Sequence, residues 1–330
     1  MIIKKDRMGA LLGTLAQHKT VFVPALIDGV SKFAPYREGL DVRFDLHNTK
    51  LPPKDLLFPQ TQKMYRYGET AEGGHYVEQF DESSERVLFG VRPCDMRSIN
   101  LLDDVFLTKG FVDEFYEAQR KKLLTVCITC AAPAETCFCE SMGLSPNEAP
   151  DADILLKSCE DCYKVTAQTQ KGEAALADWR DFLEDTQAQV LPGKTSLRLN
   201  FEGVPQKLSR MYEDPIWDEI STKCLNCGTC TFVCPTCYCF DISQENKMKE
   251  GVRFRCWDSC MFSEYTAMAG WHNPRPTKKE RVRNRFMHKL CFFEERYGKT
   301  LCVGCGRCVE CCPVALDITR LIDDIGASDA

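Results

Sequence analysis

The run Cys224-Leu-Asn-Cys227-Gly-Thr-Cys230-Thr-Phe-Val-Cys234-Pro235 occurs a second time as Cys302-Val-Gly-Cys305-Gly-Arg-Cys308-Val-Glu-Cys-Cys312-Pro313. Both copies read C-x2-C-x2-C-x3-C-P, the spacing with which two-cluster ferredoxins hold 4Fe–4S clusters. The two-residue steps let a tightly curled loop wrap three thiolates around one cubane. The x3 step carries the fourth cysteine out of that loop, and proline then redirects the chain. In such proteins the fourth cysteine serves the other cluster. The pattern therefore assigns Cys224, Cys227, Cys230 and Cys312 to one cluster, and Cys302, Cys305, Cys308 and Cys234 to a second. A chain organised around this repeat moves electrons.

With 330 residues the chain has room for two domains, each able to bury a core. Its 21 cysteines do not suggest disulfides, because a disulfide scaffold is short and follows a secretory leader. Here the start, Met-Ile-Ile-Lys-Lys-Asp-Arg-Met, has no apolar run of leader length behind it. No stretch approaches the roughly eighteen apolar residues of a membrane span. The expected setting is a reducing cytoplasm. A net charge of −6 gives no support to nucleic-acid binding. The basic stretch 275–289 has three readings: a solvated helix face, compensation of cluster charge, or docking of an acidic partner.

The expected fold class is α+β, with a mixed α/β domain over 1–205 followed by a helical, ferredoxin-like dicluster domain over 206–330. Strand-length apolar runs lie at 20–24, 86–91 and 123–128, with a further pair at 153–156 and 164–169. Helical stretches fall at 95–106, with Asp95 as a candidate N-cap, at 113–122 and at 173–186. In the second domain 208–220 reads as a helix leading into the first cluster loop. The insert 235–301 between the cluster runs carries helical candidates at 244–250, 259–269 and 278–297, and it is longer than in a compact bacterial ferredoxin.

Thirteen cysteines remain after the eight ligands of the two runs. Two thiols one residue apart can both reach one metal centre, so Cys137 and Cys139 invite two further ligands, for which Cys94 and Cys130 are the nearest candidates. A competing arrangement joins Cys127 and Cys130 to Cys159 and Cys162 as a zinc ribbon, although the gap between the pairs is longer than usual. Cys237, Cys239, Cys256 and Cys260 are candidates for a fourth site. Cys291 and Cys311 read as small buried hydrophobes. A short echo, Thr136-Cys-Phe-Cys against Thr236-Cys-Tyr-Cys, links the two leftover groups.

Gly90-Val-Arg-Pro-Cys-Asp-Met-Arg, Thr136-Cys-Phe-Cys-Glu-Ser-Met-Gly, Cys234-Pro-Thr-Cys-Tyr-Cys-Phe-Asp, and Trp257-Asp-Ser-Cys with Trp271-His-Asn-Pro-Arg carry a more particular likeness. With both cluster runs, over roughly residues 80 to 320, the chain resembles the 4Fe–4S dicluster electron-transfer subunits typified by those of anaerobic sulfite reductase and by the sulfhydrogenase beta subunit. The resemblance implies a relay subunit of a hetero-oligomeric anaerobic complex. Its neighbours would be a reductase subunit that binds flavin and NAD(P), and a catalytic or further iron–sulfur subunit. It also implies metal-binding roles for Cys94, Cys130, Cys137 and Cys139, which suggests a third 4Fe–4S cluster, and for Cys237, Cys239 and Cys260. Cys127, Cys159, Cys162 and Cys256 fall outside its cysteine pattern. The sequence offers no G-x-G-x-x-G, G-x-x-x-x-G-K-[ST] or H-E-x-x-H motif, so no catalytic residue is assigned. The alternative to a pure relay is an oxidoreductase subunit with a thiol–disulfide site of its own.

Overall fold

Arg86–Val91 and Leu123–Ile128 are buried at every position. Strands that lose water on both sides must be covered on both faces, the condition of a central parallel strand. The computed structural model, which describes residues 1–81 and 83–327, builds such a sheet. In chain order the strands are β1 (Ile2–Lys4), β2 (Thr20–Ile27), β3 (Val30–Pro35), β4 (Thr61–Glu69), β5 (His75–Gln79), β6 (Arg86–Val91), β7 (Leu123–Ile128), β8 (Ile154–Ser158), β9 (Cys162–Ala167), β10 (Phe240–Lys247) and β11 (Glu250–Trp257). Seven of them form one sheet in the order β1-β9-β8-β7-β6-β2-β3. Within it β2, β6, β7 and β8 are parallel, while β1, β3 and β9 attach antiparallel.

Side-chain alternation divides the core. Val87 and Phe89 join Leu11, Val126 and Trp179 on one face, while Leu88 joins Ile99, Leu102, Tyr116 and Leu155 on the other. Helix α1 (Met8–Ala16) precedes β2, and α2 (Pro93–Leu107) with α3 (Glu114–Lys121) crosses from β6 to β7. Asp113 caps α3 by accepting from the Tyr116 amide at 2.8 Å. Asp95 is no cap, because α2 begins at Pro93 and Arg92 stands at its N-cap. The crossover from β7 to β8 holds only a short 3₁₀ turn, Cys139–Met142, and this loop carries Cys130, Cys137 and Cys139. The expected helix at 173–186 is only α4 (Gln170–Ala177), since the chain then turns to bury Trp179 and to pair Glu184 with Ile2.

A second, antiparallel sheet runs β10-β11-β4-β5. It corrects the expectation of a wholly helical insert, because 244–250 lies in the β10–β11 hairpin. Apart from Asn246, the residues Gln244-Glu-Asn-Lys-Met-Lys-Glu250 favour helix individually. They form a strand edge because β10 pairs along its length with β11, which is itself held by β4. The shared sheet also bridges the expected boundary at 205/206. Residues 259–269 contribute a short 3₁₀ turn at Glu264–Thr266.

The remaining helices are α5 (Val204–Arg210), α6 (Ile216–Lys223), α7 (Thr229–Phe232), α8 (Lys278–Met287), α9 (Phe293–Tyr297), α10 (Arg307–Glu310) and α11 (Ile318–Ala327). The expected helix at 208–220 breaks before Pro215, which disfavours helical geometry in the preceding residue. The stretch 278–297 is helical as read, but α8 and α9 are joined by a π turn, His288–Phe292. Trp217, Phe286, Leu290 and Ile322 anchor the core under both cluster runs. Among the described residues, no helix is long and apolar enough to cross a membrane.

One buried ion pair ties α10 to α2. The Arg307 guanidinium meets the Asp95 carboxylate in two parallel bonds of 2.6 and 2.9 Å, with both side chains fully buried. Its Nε donates to the Thr49 carbonyl at 2.5 Å. Removing one member strands an uncompensated charge, so Asp95→Ala is expected to cost about 3–5 kcal/mol in an anaerobic denaturant titration. Glu117→Ala, which removes an exposed pair with Lys121, should leave the midpoint nearly unmoved.

Candidate metal centres

Each cluster run curls because its backbone enters left-handed conformations at matched places. Asn226 and Gly228 have φ of 55° and 73°, and Gly304 and Gly306 have 61° and 77°. Gly228 opens α7 and Gly306 opens α10. The first loop and Cys312 line one cavity: Cys224, Cys227 and Cys230 face Cys312 across it, with Arg285 in the wall. Cys234 lies within electrostatic reach of Cys302, Cys305 and Cys308. The two groups are those that crossed ligation requires.

The charge of the surroundings suits an anionic group. Arg285 is buried, and its Nε has no hydrogen-bond partner among the described residues. Burial opposes its charge, yet the thiols of Cys230, Cys308, Cys237 and Cys234 outweigh burial and raise its pKa. Lys289, on the π turn, donates to Cys234 Sγ at 3.2 Å and to Thr236 Oγ1 at 2.9 Å. Burial opposes this charge too, but Cys234, Cys237 and Cys302 hold its pKa up. A third cation, Lys54, donates to the carbonyls of Cys237 (2.9 Å) and Thr231 (3.3 Å) and stands 4.1 Å over the Trp257 ring. Burial lowers its pKa despite nearby Cys237, Cys234 and Cys239. Among the described residues, no three Cys, His, Asp or Glu groups close tightly enough for a single ion. Four thiols around a cavity, an orphaned guanidinium and buried ammonium groups instead fit a multi-iron cluster with sulfide acceptors.

Sequence reasoning identified compensation of cluster charge as one role for 275–289. Arg285 and Lys289 have that placement, whereas Arg281 and Arg283 bond backbone carbonyls of Arg275, Pro276 and Tyr212. Lys54 and Arg307 were not identified. Lys54 lies in no motif, and Arg307, although inside the second cluster run, meets Asp95 and Thr49 only through the tertiary fold.

The loop from β7 packs directly on the second cluster run. Phe138 donates its amide to the Gly304 carbonyl at 2.9 Å, and the Cys137 thiol reaches the Cys305 carbonyl at 3.7 Å. A Cβ at Gly304 would stand 2.6 Å from the Cys139 amide, and one at Gly306 2.6 Å from Thr136 Oγ1. Glycine is thus required at both positions for close approach as well as for positive φ. Cys130, Cys137 and Cys139 lie within electrostatic reach of one another, and Cys94, at the start of α2, faces Cys139 and Cys305. Burial pushes the Cys137 and Cys139 thiols up to about 12. Desolvated thiols of this kind gain from a metal that takes them as thiolates.

The other leftover cysteines separate. Cys239 pairs with Cys260, whose hydrogen bond brings the Cys239 thiol down to about 6, while Cys237 is hydrogen-bonded to Cys234. Cys237, Cys239 and Cys260 are therefore divided between two thiol pairs. Cys127 is sealed among Ile99, Leu155 and their neighbours, whereas Cys159 and Cys162 pack with Ile2, so the zinc-ribbon grouping does not assemble. Cys256 faces Asp241 and Asp258, Cys291 lies 3.4 Å from Glu295 Oε1, and Cys311 neighbours Lys50 and Glu310.

Comparison with known proteins agrees with this geometry. The 4Fe-4S dicluster domain matches residues 223–316. Sulfhydrogenase 2 subunit beta of Pyrococcus furiosus is 32% identical over 317 residues, covering 92% of each chain. The chain belongs to the sulfhydrogenase beta-subunit family. It carries two 4Fe–4S clusters in its dicluster domain. No solved structure matches it.

Lys289 offers a direct test of the electrostatics in this family fold. A buried cation favours the more negative, reduced form of an adjacent cluster. Lys289→Met should lower the midpoint of the cluster beside Cys234 by about 60 mV or more, the tenfold equivalent for one electron. Potentiometric titration followed by electron paramagnetic resonance reads the shift, and an unchanged midpoint would contradict it. Cys312→Ser should first perturb the cluster at Cys224, Cys227 and Cys230, leaving the signal of its neighbour in place.

Proposed function

We propose that the chain is the electron-relay subunit of a hetero-oligomeric redox complex, carrying three iron–sulfur centres in a row. The first would be held by Cys224, Cys227, Cys230 and Cys312, the second by Cys234, Cys302, Cys305 and Cys308, and the third by Cys94, Cys130, Cys137 and Cys139. Bound 4Fe–4S clusters exchange one electron at a time. The single observation that carries the order is the contact of the Cys137 thiol with the Cys305 carbonyl, since it seats the third thiol group on the loop of the second. At the other end, Cys230 and Cys234 face each other within one run and belong to different centres. The thiol pairs Cys234–Cys237 and Cys239–Cys260 divide the remaining candidates, so a fourth centre is not part of this reading.

The chain's own residues hold the centres, balance their charge and exclude water. Lys289 and Arg285 do the second, and the helices packed on Trp217 and Phe286 do the third. One edge remains open: Cys227 is exposed beside Leu225, which is 63% exposed. We assign this edge to a partner, because electrons must leave or arrive where a cluster approaches the surface. The partners that fit are a reductase subunit that binds flavin and NAD(P), and a catalytic or further iron–sulfur subunit, in a cytoplasmic anaerobic complex. The family relationship and the sequence's lack of dinucleotide motifs support that division of labour.

Iron counting on the anaerobically purified chain tests the number of centres. The proposal expects about twelve irons per chain, and about eight would leave only the dicluster pair. Cys137→Ser combined with Cys139→Ser should remove about four irons while both ferredoxin-type signals persist. The isolated chain should accept electrons from a strong artificial reductant and should not oxidise NAD(P)H. Steady NADH oxidation by the pure chain would overturn the relay reading.

A further inference from the structure

Cys159 and Cys162 belong to none of these centres. They close the turn Cys159-Glu-Asp-Cys162 between β8 and β9, where the Cys159 amide donates to the Cys162 carbonyl at 3.0 Å. A C-x2-C turn of this kind brings two thiols within disulfide reach. Burial, reinforced by a hydrogen bond between the two thiols, pushes Cys162 up to about 11.

The turn sits at the carboxyl end of β8, beside the carboxyl end of β7. There the Ser158 amide donates to Thr129 Oγ1 at 2.9 Å, and the Thr129 amide to the Leu156 carbonyl at 3.0 Å. The strands remain bonded as far as Thr129 and Ser158, and in their register Cys130 lies level with Ser158, one residue before Cys159. Neighbouring strands lie about 4.8 Å apart. Both cysteines line one cavity of about 390 Å³. Cys162 lies behind, against Ile2, Ala188 and Val190.

A strap, residues 188–193, crosses both cysteines. Leu191 donates its amide to the Ser158 carbonyl at 2.8 Å, and Gly193 lies so close to the Cys130 carbonyl that any side chain would collide with it. Reciprocal bonds with Asn147, 2.7 and 2.8 Å, fix the strap there. Two cations in the cavity wall are already engaged. Arg92 donates to the carbonyls of Thr129, Phe44 and Leu46, and Lys5 to those of Cys159 and Glu160. Of the two thiols at the wall, Cys159 is the one outside the third centre.

We infer that Cys159 and Cys162 form a redox-active dithiol–disulfide pair, reduced through the centre at Cys130 and reoxidised by a small disulfide in the cavity. The inference rests on the third centre proposed above. The Cys159 thiolate attacks one sulfur of R–S–S–R, giving a mixed disulfide and one R–S⁻, which takes up the proton Cys159 lost. The Cys162 sulfur then attacks Cys159, releasing the second thiol and forming the Cys159–Cys162 bond. An iron–sulfur centre held by Cys94, Cys130, Cys137 and Cys139 would supply two electrons in succession, which with two protons would break that bond and restore both thiols. The net change is one R–S–S–R, two electrons and two protons to two R–SH.

The test uses the iron-loaded full chain, treated anaerobically with bis(2-hydroxyethyl) disulfide, freed of excess probe and then given two electron equivalents of photoreduced deazaflavin. Alkylation and tryptic digestion follow, because cleavage after Lys157 and Lys164 yields a peptide, 158–164, that carries Cys159 and Cys162 alone. After the probe this peptide should appear as the disulfide, and after the electrons as the doubly alkylated form. In the Cys137→Ser, Cys139→Ser variant the disulfide should persist at least ten times longer. Cys162→Ser should trap the probe on Cys159, whereas Cys159→Ser should trap none on Cys162. A pair that alkylates equally with and without the probe overturns the inference, as does reduction equally fast in the variant lacking the third centre. About eight irons in the parent chain would sink the third centre and this inference together. About twelve irons with an unreactive pair would sink this inference alone.

Discussion

The structure depends on balancing negative charge in an interior that excludes water. Thiolate-ligated clusters, which carry net negative charge, cannot be buried without cations, because an isolated buried charge costs far more than a folded domain can supply. Arg285, Lys289 and Lys54 fill that role, all of them buried. Their positions are not interchangeable. Arg285 lines the first cavity and Lys289 touches Cys234, while Lys54 lies beside Cys237. Arg307 is matched instead by Asp95, next to Cys94. The same charges that permit burial favour the reduced state of whatever the thiols hold. Stability and electron affinity are set by one group of residues.

Charge balance also explains why the two halves of the chain form a continuous body. The Asp95–Arg307 pair joins α2 of the large sheet to α10 of the second cluster run. Gly304 and Gly306 let the loop at Thr136–Cys139 press against that run, and Asn48 donates to the Cys305 carbonyl at 2.9 Å. The β10–β11 hairpin completes a sheet begun by β4 and β5. Each contact holds the N-terminal thiol group at a fixed place relative to the dicluster domain, as the proposed relay would require. The carboxyl ends of parallel strands, where α/β sheets present their sites, supply Cys94, Cys130 and Cys159 in this protein.

The dicluster domain was legible because its chemistry is written in local spacing, and the central strands because their apolar runs are continuous. The one-residue gap between Cys137 and Cys139 suggested a further thiol group, for which Cys94 and Cys130 were the nearest candidates and which the resemblance also implied. Other features were hidden for physical reasons. Residues 244–247 are polar and exposed along an edge strand, and the hairpin tip places Met248 at a φ of 41°, so neither alternation nor a glycine marked the turn. Asp95 looked like a cap because its partner lies 212 residues away. Lys54 carries no motif, and its role exists only once Trp257 and Cys237 surround it. The helix over 278–297 was visible, but its π turn, which aims Lys289 at Cys234, was not.

The central claim is that three thiol groups hold three iron–sulfur centres in sequence. Anomalous scattering at the iron edge from crystals of the anaerobically prepared chain tests it most directly. The account predicts three separate iron maxima: one among Cys224, Cys227, Cys230 and Cys312, one among Cys234, Cys302, Cys305 and Cys308, and one among Cys94, Cys130, Cys137 and Cys139. Two maxima in the dicluster domain, with the third thiol group empty of iron, would contradict it.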